Sequence, residues 1–268
     1  MTLLVGVWCQ DGAVFAADKQ TSHGTPGAMT VGHPTTKIVP IKNKALFASS
    51  GHRGLGQQLC AALLTRVDKF DGQPVAAAAK DIQDDFRKMA GPAYEMAQRA
   101  APFIGQQAAG GDVTCTSILA AKFNDGISIV EITPVGAVEV YAKELPFICL
   151  GSGKQNADPI LAHLWSIYFP PPHLPTLSEG ELLAYWTVKT AIGVASPYIG
   201  LGIDVFVLNP KASPQVRELT DDQVKQHDGF INEAAIALRS VPETMRGKAQ
   251  NLPDVPKLEP KIKDKGSA

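Results

Sequence analysis

The chain has 268 residues, of which 45% are apolar, and a formal charge of −1, so it can bury a substantial core without a partner. That near-neutral balance lacks the Lys/Arg stripe that nucleic-acid phosphates require, and no apolar run approaches the roughly 20 residues of a membrane-spanning helix. The first residues carry no basic segment followed by an apolar run, so a cytoplasmic location is expected.

Strands are expected first, over Thr2 to Trp8 and Gly12 to Ala17, turning at Asp11-Gly12, and then over Lys37 to Ile41 and Ala45 to Ser50. Leu55, Leu59, Leu63 and Val67, followed by Val75, Ala79, Ile82, Phe86 and Met89, repeat at helical spacing and predict two consecutive amphipathic helices. Strand patterns return in Thr114 to Ala121, Ile127 to Thr133, Ala137 to Tyr141 and Phe147 to Leu150, with Asp125-Gly126 as a hairpin turn. Asp158-Pro159 has the form of an N-cap with its first helical residue, and Ser178 with Glu181 has capping-box spacing, so two further helices are placed there, the second ending before Pro197. A strand from Ile203 to Leu208, another near Gln215 to Leu219 and a helix from about Asp228 to Arg239 complete the ordered part.

Strands, two helices, strands, two helices and a last strand do not alternate as a parallel βαβ fold does. The expected class is α+β, a four-layer αββα sandwich of two antiparallel sheets between helix pairs. Residues 2–210 form the main domain, 211–245 a C-terminal extension with one helix, and 246–268 a flexible tail poor in apolar residues.

Several chemical signals are discounted. Gly151-Ser152-Gly153-Lys154 lacks the earlier glycine and the following Ser or Thr of a phosphate loop, and the chain has neither GxSxG nor HExxH. Cys9, Cys60, Cys115 and Cys149 form no CxxC pair and are expected as buried reduced thiols. His163 lies on an apolar helical stretch, and His23, His33 and His173 lie in Gly- or Pro-rich loops; none is given a catalytic role. No metal or other cofactor is expected.

The opening segment carries more. Thr2-Leu3-Leu4-Val5-Gly6-Val7 runs into Asp11-Gly12-Ala13-Val14-Phe15-Ala16-Ala17-Asp18-Lys19-Gln20-Thr21-Ser22-His23-Gly24, followed by Thr36-Lys37-Ile38, Ala48-Ser49-Ser50-Gly51 and Leu150-Gly151-Ser152-Gly153. In this order, over roughly residues 2 to 210, the pieces resemble a mature proteasome β-type subunit, an N-terminal nucleophile hydrolase, and most of all the divergent branch of betaproteobacterial proteasome homologues.

The resemblance implies that Thr2, exposed by removal of Met1, is the nucleophile of a threonine peptidase. A threonine hydroxyl needs a nearby base, and a free α-amine titrating near pH 8 supplies one. Lys37 would lie beside the hydroxyl, Asp18 would hold Lys37, Gly51 would offer a backbone oxyanion donor, and Ser152 would hydrogen-bond the amine. Ser22 and Gly51 would bind extended substrate through backbone groups, and Ser49 and Arg53 would help line the specificity pocket. Expected partners are peptide or unfolded-protein substrate, copies of the same chain in stacked rings and an ATP-dependent unfoldase.

Taken singly, Asp18 also fits a strand-end turn, Lys37 a solvated edge lysine and Gly51 a helix cap. The pattern breaks in Ser196-Pro197-Tyr198-Ile199-Gly200-Leu201-Gly202, where Pro197 stands in the place of the family's aspartate and Gly200 in that of its serine. Ser196 would substitute if the loop shifts by one residue. A ring-forming structural or binding subunit and an amidase acting on small amides are therefore kept as alternatives.

Overall fold

The computed structural model describes residues 2–23, 30–104, 114–195 and 199–249. Strands β1 (Leu4–Cys9), β2 (Gly12–Asp18), β3 (Gln20–His23), β4 (Thr30–Pro34), β5 (Ile38–Ile41) and β6 (Ala45–Gly51) precede helix α1 (Arg53–Arg66). A 3₁₀ segment (Val67–Gly72) leads to α2 (Val75–Ile104), then β7 (Cys115–Phe123), β8 (Gly126–Ile132), β9 (Val138–Tyr141) and β10 (Phe147–Leu150). Helices α3 (Lys154–Tyr168) and α4 (Leu177–Ala195), strands β11 (Ile203–Leu208) and β12 (Val216–Glu218), and helix α5 (Asp221–Ala249) follow. The chain divides into two compact units at Val224 and Lys225.

One antiparallel sheet runs β10-β1-β2-β11-β12 and the other β5-β6-β7-β8-β9. Alternation along each strand sends successive side chains to opposite faces. Leu4, Phe15 and Phe206 of the first sheet therefore meet Leu46, Ile118 and Ile129 of the second in one buried cluster. The other face of the second sheet, with Phe47, Leu119 and Val130, is covered by Leu59 and Leu63 of α1 and Ile82 and Phe86 of α2.

Helix α4 lies on the outer face of the first sheet and packs against α3. Its approach is close at Gly180, where an added Cβ would stand 2.4 Å from Cys9 Sγ and 3.4 Å from a methyl of Val14. The four layers are those expected from the order of elements. Among the described residues no helix is long and apolar enough to cross a membrane.

Local differences have local causes. The main-chain N–H of Gly153 donates to the Thr2 carbonyl (3.1 Å) and that of Lys154 to the Gly151 carbonyl (3.1 Å), winding α3 from Lys154 and leaving Asp158-Pro159 inside it. Helix α4 is capped two residues before the expected Ser178: the Thr176 amide and hydroxyl both donate to the Glu179 carboxylate at 2.8 Å. Glu181 instead pairs with Arg217 of β12.

Helix α2 continues past Met89 and through Pro92 because Tyr94 packs against the helix-covered core and donates its hydroxyl to the Pro134 carbonyl. Thr220 and Gln223 form a reciprocal capping box (3.0 and 3.4 Å), which starts α5 seven residues before the expected Asp228. Helix α5 runs to Ala249, so the expected tail from 246 begins within it, and its remainder lies outside the described residues. The β3–β4 hairpin has no counterpart in the sequence pattern.

Candidate functional site

Register brings the chain start to Asp18. Leu4 pairs with Ala17, so Leu3 stands opposite Asp18; the Leu3 amide donates to Asp18 Oδ1 at 2.7 Å and the Asp18 amide to the Leu3 carbonyl at 3.3 Å. Asp18 is wholly buried at the end of β2, and its Oδ1 also accepts from Lys37 Nζ at 2.6 Å. Lys37 precedes β5 and its side chain is only 8% exposed.

Burial pushes the Lys37 ammonium below the ordinary lysine range, while Asp18 and the more distant Asp204 oppose that fall. A bare buried carboxylate is costly, so each member of the pair requires the other. Asp204, in β11, forms a second ion pair with Lys19 at 2.6 Å. It contributes to the field around Lys37, yet in sequence it reads only as one acid within a strand.

The Thr2 main-chain N–H donates to the Ser152 hydroxyl at 3.2 Å, and the Thr2 carbonyl accepts from Gly153. This clamp depends on Gly151: at φ +85° its missing Cβ would lie 2.1 Å from the Thr2 carbonyl oxygen. Gly51 ends β6 at φ +96°, where a Cβ would stand 2.2 Å from the Thr114 carbonyl oxygen, so glycine is required there by the sheet itself. The expected helix-cap position is thus the last residue of a strand.

Thr2, Lys37, Ser49, Gly51, Arg53 and Ser152 line one cleft of about 650 Å³, with Asp18 beneath it behind Lys37. Ser22 lies in β3 opposite Val31, with its side chain outside the described residues. The Gly200 amide donates to Asp18 Oδ2 at 3.4 Å. Ser196 and Pro197 lie outside the described residues.

Sequence reasoning missed the far wall of the cleft. Gln57, Cys60, Ala61 and Leu64 line it from α1, whose opposite face buries Leu55, Leu59 and Leu63. The spacing from Arg53 through Gln57 to Cys60 and Leu64 was the available signal. Cys60 is half-buried, whereas Cys9, Cys115 and Cys149 are buried as expected.

No family model and no curated protein matches the chain. Solved structures do. Anbu (ancestral beta-subunit) from Yersinia bercovieri superposes with a TM-score of 0.60 at 16% identity, over 94% of this chain and 99% of that one. The Anbu (Gly-1) mutant from Hyphomicrobium sp. strain MC1 gives 0.60 at 16% identity over 92% and 100%, and the helical assembly of the Anbu complex from Pseudomonas aeruginosa 0.59 at 18% over 95% and 98%.

The fold is shared with Anbu. That overturns the narrower placement among betaproteobacterial proteasome homologues: the similar structures carry the name of a distinct, ancestral β-subunit type. At these identities the likeness to Anbu establishes the fold and leaves the chemistry to the residues of the cleft.

Proposed function

We propose that the chain is a threonine peptidase subunit of a self-associating, proteasome-like assembly acting in the cytoplasm on peptides or unfolded protein. The observation that carries this is the convergence of Thr2, Ser152, Gly51 and Lys37, the last paired with Asp18, on one cleft of about 650 Å³. The helical assembly of a fold neighbour supports the self-association.

In this mechanism removal of Met1 turns the Thr2 amide into an amine beside Ser152. The amine takes the hydroxyl proton through a water as Thr2 Oγ attacks the peptide carbonyl carbon, and the Lys37 ammonium favours the developing alkoxide. The carbonyl oxygen, now negative, accepts from the Gly51 N–H. Collapse breaks the C–N bond, the amine product leaves with the proton, and water hydrolyses the Thr2 ester to release the acid and restore the site.

Gly200 favours one alternative, a ring-forming subunit without activity, because it brings no hydroxyl to the amine. Its amide, however, joins the Leu3 amide in holding Asp18. Intact mass after treatment with an electrophile that acylates N-terminal threonine separates the two. An adduct on the parent and none on Thr2→Ala supports the peptidase; processed protein without an adduct supports the inactive subunit. Retention of Met1 in the natural host overturns the nucleophile assignment.

A further inference from the structure

Asp204 is a buried charge to which the reaction as described gives no task. Its side chain is 1% exposed, Lys19 Nζ stands 2.6 Å from Oδ1, and among the described residues no donor reaches Oδ2. A carboxylate oxygen buried without a donor is costly, so its presence calls for a reason. Register puts Asp204 opposite Ala17, and Ala17, Phe206 and Leu208 all enter the buried cluster between the sheets, so strand alternation turns Asp204 to that face. Ile38 closes the same cluster from the second sheet, and Lys37 directly precedes it. Asp204 and Lys37 thus approach one end of the layer between the sheets from opposite sides.

We infer that Asp204 is a positioning residue for the peptidase reaction: across the inter-sheet layer its buried carboxylate holds the positive charge of Lys37 at the cleft, while Asp18 fixes where that charge lies. Two features let Asp204 act beyond its own ion pair. Its burial keeps water from screening it. Lys19, 35% exposed, is held above the ordinary lysine range first by Asp204 and, further off, by Glu218 of β12 and Asp221 of α5, so one cation is shared among three acids and the group stays negative. The loop before β11 ties the two ion pairs together. The Lys19 amide donates to the Gly202 carbonyl at 3.0 Å, the Gly200 amide donates to Asp18 Oδ2 at 3.4 Å, and Leu201 between them is in left-handed backbone at φ 59°. Such a conformation persists only where its surroundings hold it.

Among the described residues, the charged groups around Lys37 are Asp18 at the end of β2, Asp204 of β11, Arg53 of α1 in the same cleft and the Thr2 amine once Met1 is removed. Burial lowers the Lys37 ammonium, and Asp18 and Asp204 oppose that fall, so loss of the Asp204 charge deepens it. The role in the reaction rests on the peptidase reading. The link between Asp204 and Lys37 does not, and it is measured apart from Thr2.

Competitive acetylation of the full chain across pH, read by peptide mass mapping, gives the titration midpoint of Lys37 whatever Thr2 does. Asp204→Asn keeps the shape of the side chain and removes its charge, and is expected to lower that midpoint by at least about half a pH unit. Asp204→Ser is expected to do the same, whereas an unfolded variant would raise the midpoint to that of a solvated lysine. Lys19→Met breaks the same ion pair but leaves the carboxylate, and its midpoint is expected at or above the parent's. The alkaline limb of Thr2 acylation should move to lower pH in Asp204→Asn together with the midpoint. A midpoint unmoved in Asp204→Asn, or an equal fall in Lys19→Met, overturns the inference, the latter because loss of the ion pair alone would account for both. A midpoint that falls while the limb stays in place overturns the role in the reaction. Failure of the parent to acylate Thr2 at any pH overturns the peptidase reading, and the two midpoints still decide the link between Asp204 and Lys37.

Discussion

Replacing Lys37 by Met tests whether the buried pair serves structure, chemistry or both. The substitution keeps the stem volume and deletes the ammonium, leaving the wholly buried Asp18 carboxylate with the Leu3 and Gly200 amides as donors at 2.7 and 3.4 Å. Removing one partner of a buried ion pair costs about 3–5 kcal/mol, and the two remaining donors favour the lower end. About 3 kcal/mol lowers the Tm of a unit this size by roughly 6–12 °C. Asp18→Asn added to Lys37→Met removes the stranded charge while the amide oxygen still accepts from Leu3, so most of the loss is expected to return, to within about 1 kcal/mol of the parent. Acylation of Thr2 behaves differently: both variants lose the ammonium, and the rate is expected to fall at least about 100-fold in each. Thermal melts and adduct formation by mass on the same samples read the two effects apart. A double variant that recovers its Tm and acylates Thr2 at the parent rate would refute a chemical role for Lys37.

The pH dependence has a sign on each side. If the Thr2 amine is the base, acylation rises with pH up to about 8. Lys37, its value lowered by burial, loses its proton below the ordinary lysine value of about 10.4, so the rate falls again earlier than a solvated lysine would dictate. In the window between its folded and unfolded values the folded chain binds fewer protons at Lys37, so this group's contribution to stability grows with pH; stopped-flow labelling and melts across pH 6–10 would check both signs. Gly51→Ala is expected to cost more than about 1–3 kcal/mol, since it combines a strained φ with a Cβ 2.2 Å from the Thr114 carbonyl oxygen, and a destabilisation too small to resolve in denaturant titration would contradict the observed strand end. Of the four cysteines, Cys60 alone is expected to react with a small thiol reagent in the native state, slowly because burial raises its pKa, and mass mapping would identify the labelled residue.

The parts that sequence made legible are those in which one periodicity dominates. Leu55, Leu59 and Leu63 could only face a core, and Ile203–Leu208 could only be a strand between turn-forming neighbours. Helix ends were less readable because several Ser/Thr-x-x-Glu/Gln spacings compete: Thr176 with Glu179 and Thr220 with Gln223 cap real helices, whereas Glu181 is drawn to Arg217 from a distant strand. In the cleft, Thr2, Asp18 and Lys37 were legible only through the ordered motifs that resemble a proteasome β-type subunit, since each taken singly has an ordinary structural reading. The contributions of Asp204 and Gly200 come from β11 and the loop before it, distant in sequence, and one of them acts only through its backbone. The α1 wall was hidden for another reason: the face opposite a clear apolar stripe ordinarily reads as solvent-exposed.

The clamp that Gly151, Ser152 and Gly153 place on Thr2 has a practical side. It fixes the backbone of a residue that lines the cleft, so a polypeptide joined ahead of Thr2 starts beside the space that substrate occupies under the proposed function. A purification tag at the N-terminus would therefore behave as a tethered competitor at an effective concentration near millimolar, and preparations meant for labelling should carry their handle at the other end.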